Sequence, residues 1–457
     1  MSPSVNSPQG SRATVLPVPS LSGTIKLPGS KSMTNRALVL AALASESSVL
    51  HNALDCDDSR YLIESLRVLG VEVESTPREG METESTTVKV VGAGGPFPVK
   101  SGRFFIGNAG TTARFLTALL AACGGDYVVD GDARMRERPI EHLVRALLEL
   151  GAEVSAPTGC PPVTIGLRPV QGGKVRVPGH VSSQFISALL MAAPLARKPV
   201  EIQVTGELVS RPYIDLTLHA MRDFGMAARA DDGRADGHVA FRVPAGRSYL
   251  GREYHVEGDA SAASYFYGAA ALTGGSIRVE GVGKETPQGD AACADVLAAM
   301  GCRVKKEREA VTVTGPRLPK GVLKGVDHNC AEIPDVVPTL AVVALFASGR
   351  TRLRGVAHLR HKESDRIASV ASELRKLGGQ VKELPDGLEI EGTLGPAPSP
   401  LRGAAISTWG DHRIAMAFSL AGLVLPDVVL LDPKVVSKSF PGYFNALRSL
   451  GVTVRFE

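Results

Sequence analysis

The chain of 457 residues is longer than one ordinary hydrophobic core supports, so two or more domains are expected. Its apolar content of 44% and charged content of 21% are typical of a soluble globular protein. The formal net charge of +4 argues against nucleic-acid binding by the whole surface, so local clusters must bind any anionic partner.

The six cysteines form no CxxC pair and no zinc-like cluster with histidine. This pattern predicts reduced thiols in a cytoplasmic protein without a structural metal site. No apolar run is long enough to span a membrane. Residues 1–13 are rich in Ser and Pro and are expected to be disordered.

A helix-like pattern that ends in glycine recurs six times. In each copy one apolar residue precedes the glycine and another lies three residues earlier, which places both on one helix face. The glycine is expected to end the helix in a left-handed conformation, and a short strand follows. The intervals of 81, 74, 76, 77 and 73 residues indicate six copies of one α/β unit, closed by Gly70, Gly151, Gly225, Gly301, Gly378 and Gly451.

A second helix-like segment lies upstream in each copy. These segments are apolar on almost every side, so they are predicted to be buried, with the glycine-ended amphipathic helices outside them. Five begin with a polar, glycine-containing stretch, whereas residues 331–349 have two prolines and no leading glycine. Because helix N-termini have unpaired N–H groups, these stretches are candidate anion-binding positions. The other five segments are residues 29–44, 107–122, 179–193, 258–275 and 410–424.

The six copies divide most simply into three plus three. The charged residues 230–238 and the region up to Glu257 mark the expected boundary. If the buried helices of each half run the same way, their N-termini converge on one face, and two such faces would line a cleft. Cations and hydroxyls dominate these positions, which suits a small substrate with phosphate and carboxylate groups. Asp335 and Glu363 are candidates for a general base and a general acid in group transfer without a metal.

Ordered motifs over residues 20–455 resemble those of the 5-enolpyruvylshikimate-3-phosphate synthases, in the enolpyruvyl transferase family. They include LPGSKSMTNRALVLAALA, GNAGTTARFL, GDARMRERP, VSSQF, LVSRPYID, KESDR and GDHRIAMAFSL. The resemblance implies a two-domain inside-out α/β barrel of six βαβαββ units arranged three plus three. It also implies a discontinuous domain of residues 1–29 and 257–457, a second domain of residues 30–256, and an active site in the cleft between them.

The implied reaction transfers the enolpyruvyl group of phosphoenolpyruvate to the 5-hydroxyl of shikimate 3-phosphate, by addition and elimination, in aromatic amino acid biosynthesis. Asp335 would be the base on the 5-hydroxyl, and Glu363 would protonate the methylene carbon of phosphoenolpyruvate. Lys31 would contact both substrates and assist the proton transfers. The resemblance implies a monomer, and neither cofactor nor metal is expected.

The resemblance assigns the remaining site residues to one substrate or the other. Shikimate 3-phosphate would be bound by Ser32, Arg36, Ser182, Ser183, Gln184, Ser210 and Lys362. Phosphoenolpyruvate would be bound by Gly110, Arg134, Arg366, Arg413 and Lys438, with Gln184 close to both. Asn108 is added because it lies in the same polar stretch as Gly110.

Three positions depart from the family pattern. Thr112 and Phe115 stand where many members have alanine and proline, and His358 stands where asparagine is frequent. These departures bear on the subclass, and on sensitivity to the phosphoenolpyruvate mimic glyphosate, more than on the reaction.

Parts of the sequence are also compatible with two other functions. The sister UDP-N-acetylglucosamine enolpyruvyl transferases have asparagine in place of Ser32 and a catalytic cysteine in the arginine loop, whereas residues 131–139 contain no cysteine. An RNA-binding or RNA-end-processing protein with a related repeat fold could use RMRERP as a basic contact surface. The low net charge and the lack of interleaved aromatic residues argue against RNA.

Overall fold

The computed structural model describes residues 10–77, 85–232, 239–317, 321–394 and 400–457. Most of the N-terminal segment predicted to be disordered and most of the boundary loop, residues 1–9 and 233–238, lie outside the described residues. The prediction of disorder is wrong for Arg12 and Ala13, because both belong to a strand and Ala13 is buried.

The described chain has a mixed α/β fold in which long buried helices alternate with amphipathic ones. The helices are α1 (Lys31–Leu43), α2 (Asp57–Val68), α3 (Gly110–Cys123), α4 (Glu141–Glu149), α5 (Ser183–Ala192), α6 (Arg211–Asp223), α7 (Ala260–Thr273), α8 (Cys293–Ala299), α9 (Val337–Leu345), α10 (Arg366–Lys376), α11 (His412–Gly422) and α12 (Tyr443–Ser449).

The strands of the described ranges form six four-stranded sheets. They are β1 (Arg12–Val15), β2 (Gly23–Lys26), β3 (Ser47–Leu54), β4 (Glu72–Pro77), β5 (Ser85–Val91), β6 (Ser101–Phe105), β7 (Asp126–Asp130), β8 (Val154–Ser155), β9 (Val163–Ile165), β10 (Gly173–Pro178), β11 (Val200–Thr205), β12 (Arg229–Asp232), β13 (Val239–Val243), β14 (Glu253–His255), β15 (Ser276–Glu280), β16 (Arg303–Lys306), β17 (Ala310–Thr314), β18 (Asp327–Asn329), β19 (Arg350–Arg354), β20 (Gln380–Leu384), β21 (Gly387–Glu391), β22 (Ala405–Ser407), β23 (Val429–Leu431) and β24 (Val454–Phe456).

All six sheets share one pairing scheme. In the sheet β6-β7-β9-β8, for example, β6 runs parallel to β7, and β9 pairs antiparallel with both β7 and β8. The parallel pair is joined through a buried helix, α3, whereas the antiparallel pair β8–β9 needs only a short connection. Buried helices α5, α9 and α11 join the parallel pairs β10–β11, β18–β19 and β22–β23 in the same way, whereas the parallel pairs β2–β15 and β3–β14 bring together strands that are distant in sequence.

The closing glycines have the conformation that the repeat predicts. Their φ angles range from 80° at Gly225 to 105° at Gly301, in the left-handed region that L side chains avoid. Each follows the end of α2, α4, α6, α8, α10 or α12 by two residues. The expected strand directly after Gly225 is displaced, because β12 begins only at Arg229.

The predicted buried helices are also confirmed. Every residue of α3 is buried, and in α1 only Ser32 is not. In the copy without a leading glycine, Pro334–Val336 forms a 3₁₀ turn, and Pro338 occupies the first turn of α9. Proline is tolerated there because the first N–H groups of a helix have no intrahelical acceptor.

The described residues fall into two compact units. The first unit contains residues 29–77, 85–232 and 239–256, and the second contains residues 10–28, 257–317, 321–394 and 400–457. Strand β2 pairs with β15, and β1 pairs with β23 and β24, so the N-terminal strands complete sheets of the second unit. Among the helices of these ranges, none is long and apolar enough to cross a membrane.

Candidate active site

Lys31 begins α1 and is held by a buried carboxylate. Its Nζ lies 3.1 Å from Oδ2 of Asp58, in the first turn of α2. The backbone carbonyl of Asp58 accepts a hydrogen bond from Oγ1 of Thr112 on α3, at 3.2 Å. Lys31 is therefore fixed where α1, α2 and α3 meet. Sequence reasoning missed Asp58; the acidic pair at the start of α2 was its only local signal.

Arg36 is buried among neutral acceptors. Its Nε donates to Oγ1 of Thr217 at 2.8 Å, and its Nη groups donate to the carbonyls of Ser32 and Tyr213 at 2.9 Å and to Oγ of Ser187 at 3.4 Å. In the described part of the chain no carboxylate pairs with it, and burial lowers the pKa of Arg36 to about 10. Such a cation is poised to bind a substrate anion.

The departure at Phe115 has a structural role beside Arg36. The Arg36 guanidinium carbon lies 5.4 Å from the centre of the Phe115 ring, a distance suited to a cation–π contact.

Gly110 begins α3 directly beneath a buried arginine. A Cβ at this position would lie 2.4 Å from Nη2 of Arg138 and 2.8 Å from its Cζ. Nη1 of Arg138 donates to the carbonyl of Asn108 at 3.1 Å and to its Oδ1 at 2.9 Å. The structure thus brings Asn108 and Gly110 together through Arg138, a residue that the sequence-based assignment omitted.

The other two arginines of the loop at residues 131–139 pair with nearby carboxylates. Arg136 makes two hydrogen bonds to Asp130, and this pairing lowers the pKa of that carboxyl. Arg134, the predicted ligand, is partly exposed and pairs with Glu137 at 2.8 Å. Arg114 reaches the same loop from α3 and donates to the carbonyl of Pro139 at 2.6 Å. Arg114 therefore anchors the loop.

Residues at the start of α5 adjoin the start of α3. Ser182 caps α5 by accepting from the backbone N–H of Gln184, whose Nε2 donates to Oγ1 of Thr111 at 3.3 Å. Ser183 is buried in the first turn. Ser210 precedes α6 with φ 55°, an uncommon conformation for a residue with a side chain. Together with the Arg36 contacts, this brings the N-terminal halves of α1, α3, α5 and α6 together.

In the second unit, buried Arg366 is shared by three carboxylates. Its Nε lies 2.8 Å from Oδ2 of Asp411, its Nη2 lies 2.7 Å from Oε2 of Glu363, and its Nη1 lies 2.9 Å from Oδ1 of Asp335. Burial alone lowers the pKa of Arg366, but the attraction of the three carboxylates raises it above its ordinary value. Arg366 therefore stays charged and joins both predicted catalytic carboxylates.

Arg413 holds the second oxygen of Asp335. Its Nη2 lies 2.6 Å from Oδ2 of Asp335, and its Nη1 lies 3.4 Å from the hydroxyl of Tyr265 on α7. Burial raises the pKa of Tyr265 to about 12, so this hydroxyl stays neutral. The structure thus brings together four of the predicted residues, Asp335, Glu363, Arg366 and Arg413, and adds Asp411 and Tyr265.

Lys362, Lys438 and His358 belong to the 3₁₀ helices of the second unit or directly follow them. Lys362 directly precedes Glu363, and Lys438 is buried at the end of the 3₁₀ helix Pro433–Lys438. Burial, followed by the charge of Lys362, lowers the pKa of His358 to about 3. His358 is therefore neutral at physiological pH.

Carboxylates occupy the start of α7. Asp259 caps the helix by accepting from the backbone N–H of Ala262, and Ser261 donates to buried Asp290. No group of three or more histidine, cysteine, aspartate or glutamate side chains suited to a metal occurs among the described residues.

We predict that Arg36→Met leaves the melting temperature unchanged or raises it. Replacing a buried cation by an apolar side chain of similar volume removes a desolvation cost. The hydroxyl of Thr217 keeps its contacts with Ser187 and the Tyr213 carbonyl, at 2.8 and 2.9 Å. Calorimetry of the two proteins measures the change. A fall in the free energy of unfolding of about 2–5 kcal/mol, comparable to that caused by a large-to-small substitution in a core, would show that Arg36 is mainly structural.

Comparisons with known proteins identify the family of the chain. The family model described as EPSP synthase (3-phosphoshikimate 1-carboxyvinyltransferase) matches residues 16–447. The 3-phosphoshikimate 1-carboxyvinyltransferase of Thiobacillus denitrificans is 47% identical over 435 residues, covering 94% of this chain and 97% of that protein. The chloroplastic enzyme of Brassica napus is 45% identical over 459 residues, covering 97% and 86%.

A solved structure supports the same assignment. EPSP synthase from Acinetobacter baumannii has a TM-score of 0.78 at 28% sequence identity, covering 97% of this chain and 99% of that chain. The family match covers every predicted site residue, from Lys31 to Lys438. The chain belongs to the EPSP synthase family.

Proposed function

We propose that the chain transfers the enolpyruvyl group of phosphoenolpyruvate to the 5-hydroxyl of shikimate 3-phosphate and releases phosphate, in the shikimate pathway of aromatic amino acid biosynthesis. The observation that supports this most directly is the cluster in which Arg366 bridges Asp335 and Glu363. It provides two carboxylates for proton transfer next to cations that suit an anionic substrate. The match to the family model supports this substrate pair over UDP-N-acetylglucosamine.

We further propose the inside-out barrel arrangement, with residues 1–29 and 257–457 in one domain and 30–256 in the other. Three of the six sheets lie in each compact unit, in keeping with a three-plus-three repeat. The Lys31 group and the Arg366 group belong to different units, so the reaction needs both to meet one substrate pair in a cleft. We propose a monomeric, cytoplasmic enzyme; its six free cysteines suit a reducing compartment.

Phosphoenolpyruvate would share the donors that now hold Asp335. We assign its phosphate and carboxylate to Arg134, Arg366, Arg413 and Lys438, near Gly110 and Asn108. Because Arg413 donates to Oδ2 of Asp335, an incoming carboxylate competes for the same guanidinium. That competition releases an oxygen of Asp335 to accept a proton.

Shikimate 3-phosphate would be bound mainly by the helix N-termini of the first unit. Arg36 supplies a buried cation that has only neutral acceptors among the described residues. Hydroxyls, an amide and a lysine complete the assigned set: Ser32, Ser182, Ser183, Gln184, Ser210 and Lys362.

The chemistry then proceeds in two balanced steps. In the addition, the 5-hydroxyl loses its proton to Asp335 and its oxygen bonds to C2 of phosphoenolpyruvate, while Glu363 gives a proton to the methylene carbon. In the elimination, the Glu363 carboxylate takes a proton back from the new methyl group and the C2–O bond to phosphate breaks, so phosphate departs with the proton that Asp335 had accepted and the enol ether remains. Lys31 contacts both substrates and stabilises the charge that develops.

Asp335→Asn and Glu363→Gln should each lower kcat by about 10²- to 10⁴-fold, because general acid or base catalysis is lost while the fold persists. Phosphate release from phosphoenolpyruvate and shikimate 3-phosphate measures the rate, and calorimetric titration measures binding. Glu332→Gln is a matched control, since this nearby carboxylate is exposed. Full activity in either variant would show that the substituted carboxylate is not catalytic. Release of phosphate by the unchanged enzyme only with UDP-N-acetylglucosamine would overturn the assigned reaction.

Gly110→Ala should raise KM for phosphoenolpyruvate by about tenfold, with a smaller effect on KM for shikimate 3-phosphate. The added methyl forces the Arg138 guanidinium away from Asn108. Gly95→Ala is the control, because a Cβ there meets nothing within 4 Å. If displacement of Arg138 is the cause, Gly110→Ala adds little to the effect of Arg138→Lys. If the effects of Gly110→Ala and Arg138→Lys on KM were fully additive in the double variant, displacement of Arg138 would not be the cause.

Both substrates together should reduce the radius of gyration in X-ray scattering, because closure assembles a site from two domains. The forward scattering intensity should give the mass of one chain, 47.9 kDa. Each substrate alone is the control. An unchanged radius with both substrates bound argues against closure, and a doubled mass argues against a monomer.

A further inference from the structure

Glu373 is a buried carboxylate outside the proposed catalytic set. It lies on α10, is fully shielded from solvent, and accepts from three groups. The Trp409 indole Nε1 donates to Oε1 at 2.8 Å, and the Ser407 backbone N–H donates to Oε2 at 3.1 Å. Nζ of Lys376 contacts both oxygens, at 2.9 and 2.7 Å. Two of these three donors belong to the segment that leads into α11.

That segment contains a turn with an uncommon backbone. The N–H of Asp411 donates to the carbonyl of Thr408 at 2.8 Å, so Thr408–Asp411 closes a β-turn. Its central residues, Trp409 and Gly410, have φ angles of 55° and 64°. Positive φ at both central positions is typical of turns that favour Asn, Asp or Gly, not a bulky aromatic residue. The hydrogen bond to Glu373 stabilises tryptophan in this conformation.

Helix α10 therefore holds the segment at both ends. Arg366 and Glu373 are seven residues apart, about two helical turns, and so lie on the same face. Glu373 binds the segment at Ser407 and Trp409, and Arg366 binds it at Asp411. The turn between these contacts fixes the direction in which Asp411 and the following helix begin.

We propose that Glu373 is a positioning residue for phosphoenolpyruvate binding, acting through the Trp409 turn on Asp411 and Arg413. This inference rests on the proposed function, which assigns Arg366 and Arg413 to phosphoenolpyruvate. Asp411 orients Arg366 through two hydrogen bonds and caps α11 at the N–H of Arg413. Loss of the Glu373 contacts lets the turn relax, which shifts both arginines relative to Asp335.

The test compares Glu373→Ala, Glu373→Gln and Lys376→Ala. Glu373→Ala should raise KM for phosphoenolpyruvate about tenfold, with KM for shikimate 3-phosphate changed less than twofold. Glu373→Gln keeps one acceptor oxygen and should recover part of the loss. Lys376→Ala removes only the partly exposed partner and should leave both KM values unchanged.

Tryptophan fluorescence gives a readout that does not depend on turnover. Trp409 is the sole tryptophan and is 50% exposed. Its emission should shift in Glu373→Ala, because the indole loses its carboxylate partner, and should stay unchanged in Lys376→Ala. Trp409→Phe keeps a ring but removes the donor, so it should raise KM for phosphoenolpyruvate even where Glu373→Ala fails to fold.

The outcomes separate the positioning role from the proposed function. An unchanged KM for phosphoenolpyruvate in Trp409→Phe, or in a folded Glu373→Ala, would overturn the positioning role. An equal rise in both KM values would also overturn it, because it would indicate general destabilisation. Arg413→Met tests the underlying assignment, since it should raise KM for phosphoenolpyruvate whatever Glu373 does. An unchanged KM in Arg413→Met would contradict the proposed binding site.

Discussion

The architecture of the second unit depends on one buried guanidinium. Moving an ion out of water costs several kcal/mol, which is similar in size to the whole free energy of unfolding of a domain. A buried cation is therefore tolerated only when acceptors satisfy its N–H donors. Arg366 meets this condition with carboxylates from three segments: the 3₁₀ turn at Asp335, the residue Glu363 before α10, and the cap of α11 at Asp411. The starts of α9, α10 and α11 are consequently fixed to one another, and the two carboxylates proposed to be catalytic are joined through a group that is proposed to bind a substrate anion as well.

The buried cation Arg36 of the first unit has different partners. Arg36 is surrounded by carbonyls and hydroxyls, which offset its burial less completely than carboxylates would, and burial lowers its pKa to about 10. Lys31, by contrast, is paired with Asp58. A cation held by neutral groups keeps more of its attraction for a ligand than one already neutralised by a carboxylate. This difference suits a division in which one unit mainly binds anions and the other also moves protons.

Periodic features were predictable from sequence because they are repeated and local. The spacing of Gly70 and its five counterparts predicts helix ends that need positive φ, and the structure has them. Single polar residues were not predictable in this way, since their partners are distant in sequence. Arg136 and Arg138 look equivalent in the chain, yet one pairs with Asp130 at the surface and the other is buried against Gly110. Glu373 reads as an ordinary charge on an amphipathic helix, and only folding places Trp409 beside it.

Backbone strain recurs where helices begin at the proposed site. Ser210 has φ 55° before α6, and Trp409 has φ 55° shortly before α11. A left-handed residue with a side chain costs roughly 1–2 kcal/mol, so it persists only where surrounding contacts hold it. Such a residue turns the chain sharply just before the helix begins. The contacts that hold each turn, such as Glu373 on Trp409, therefore help to determine where the N-terminal charges of the helices point.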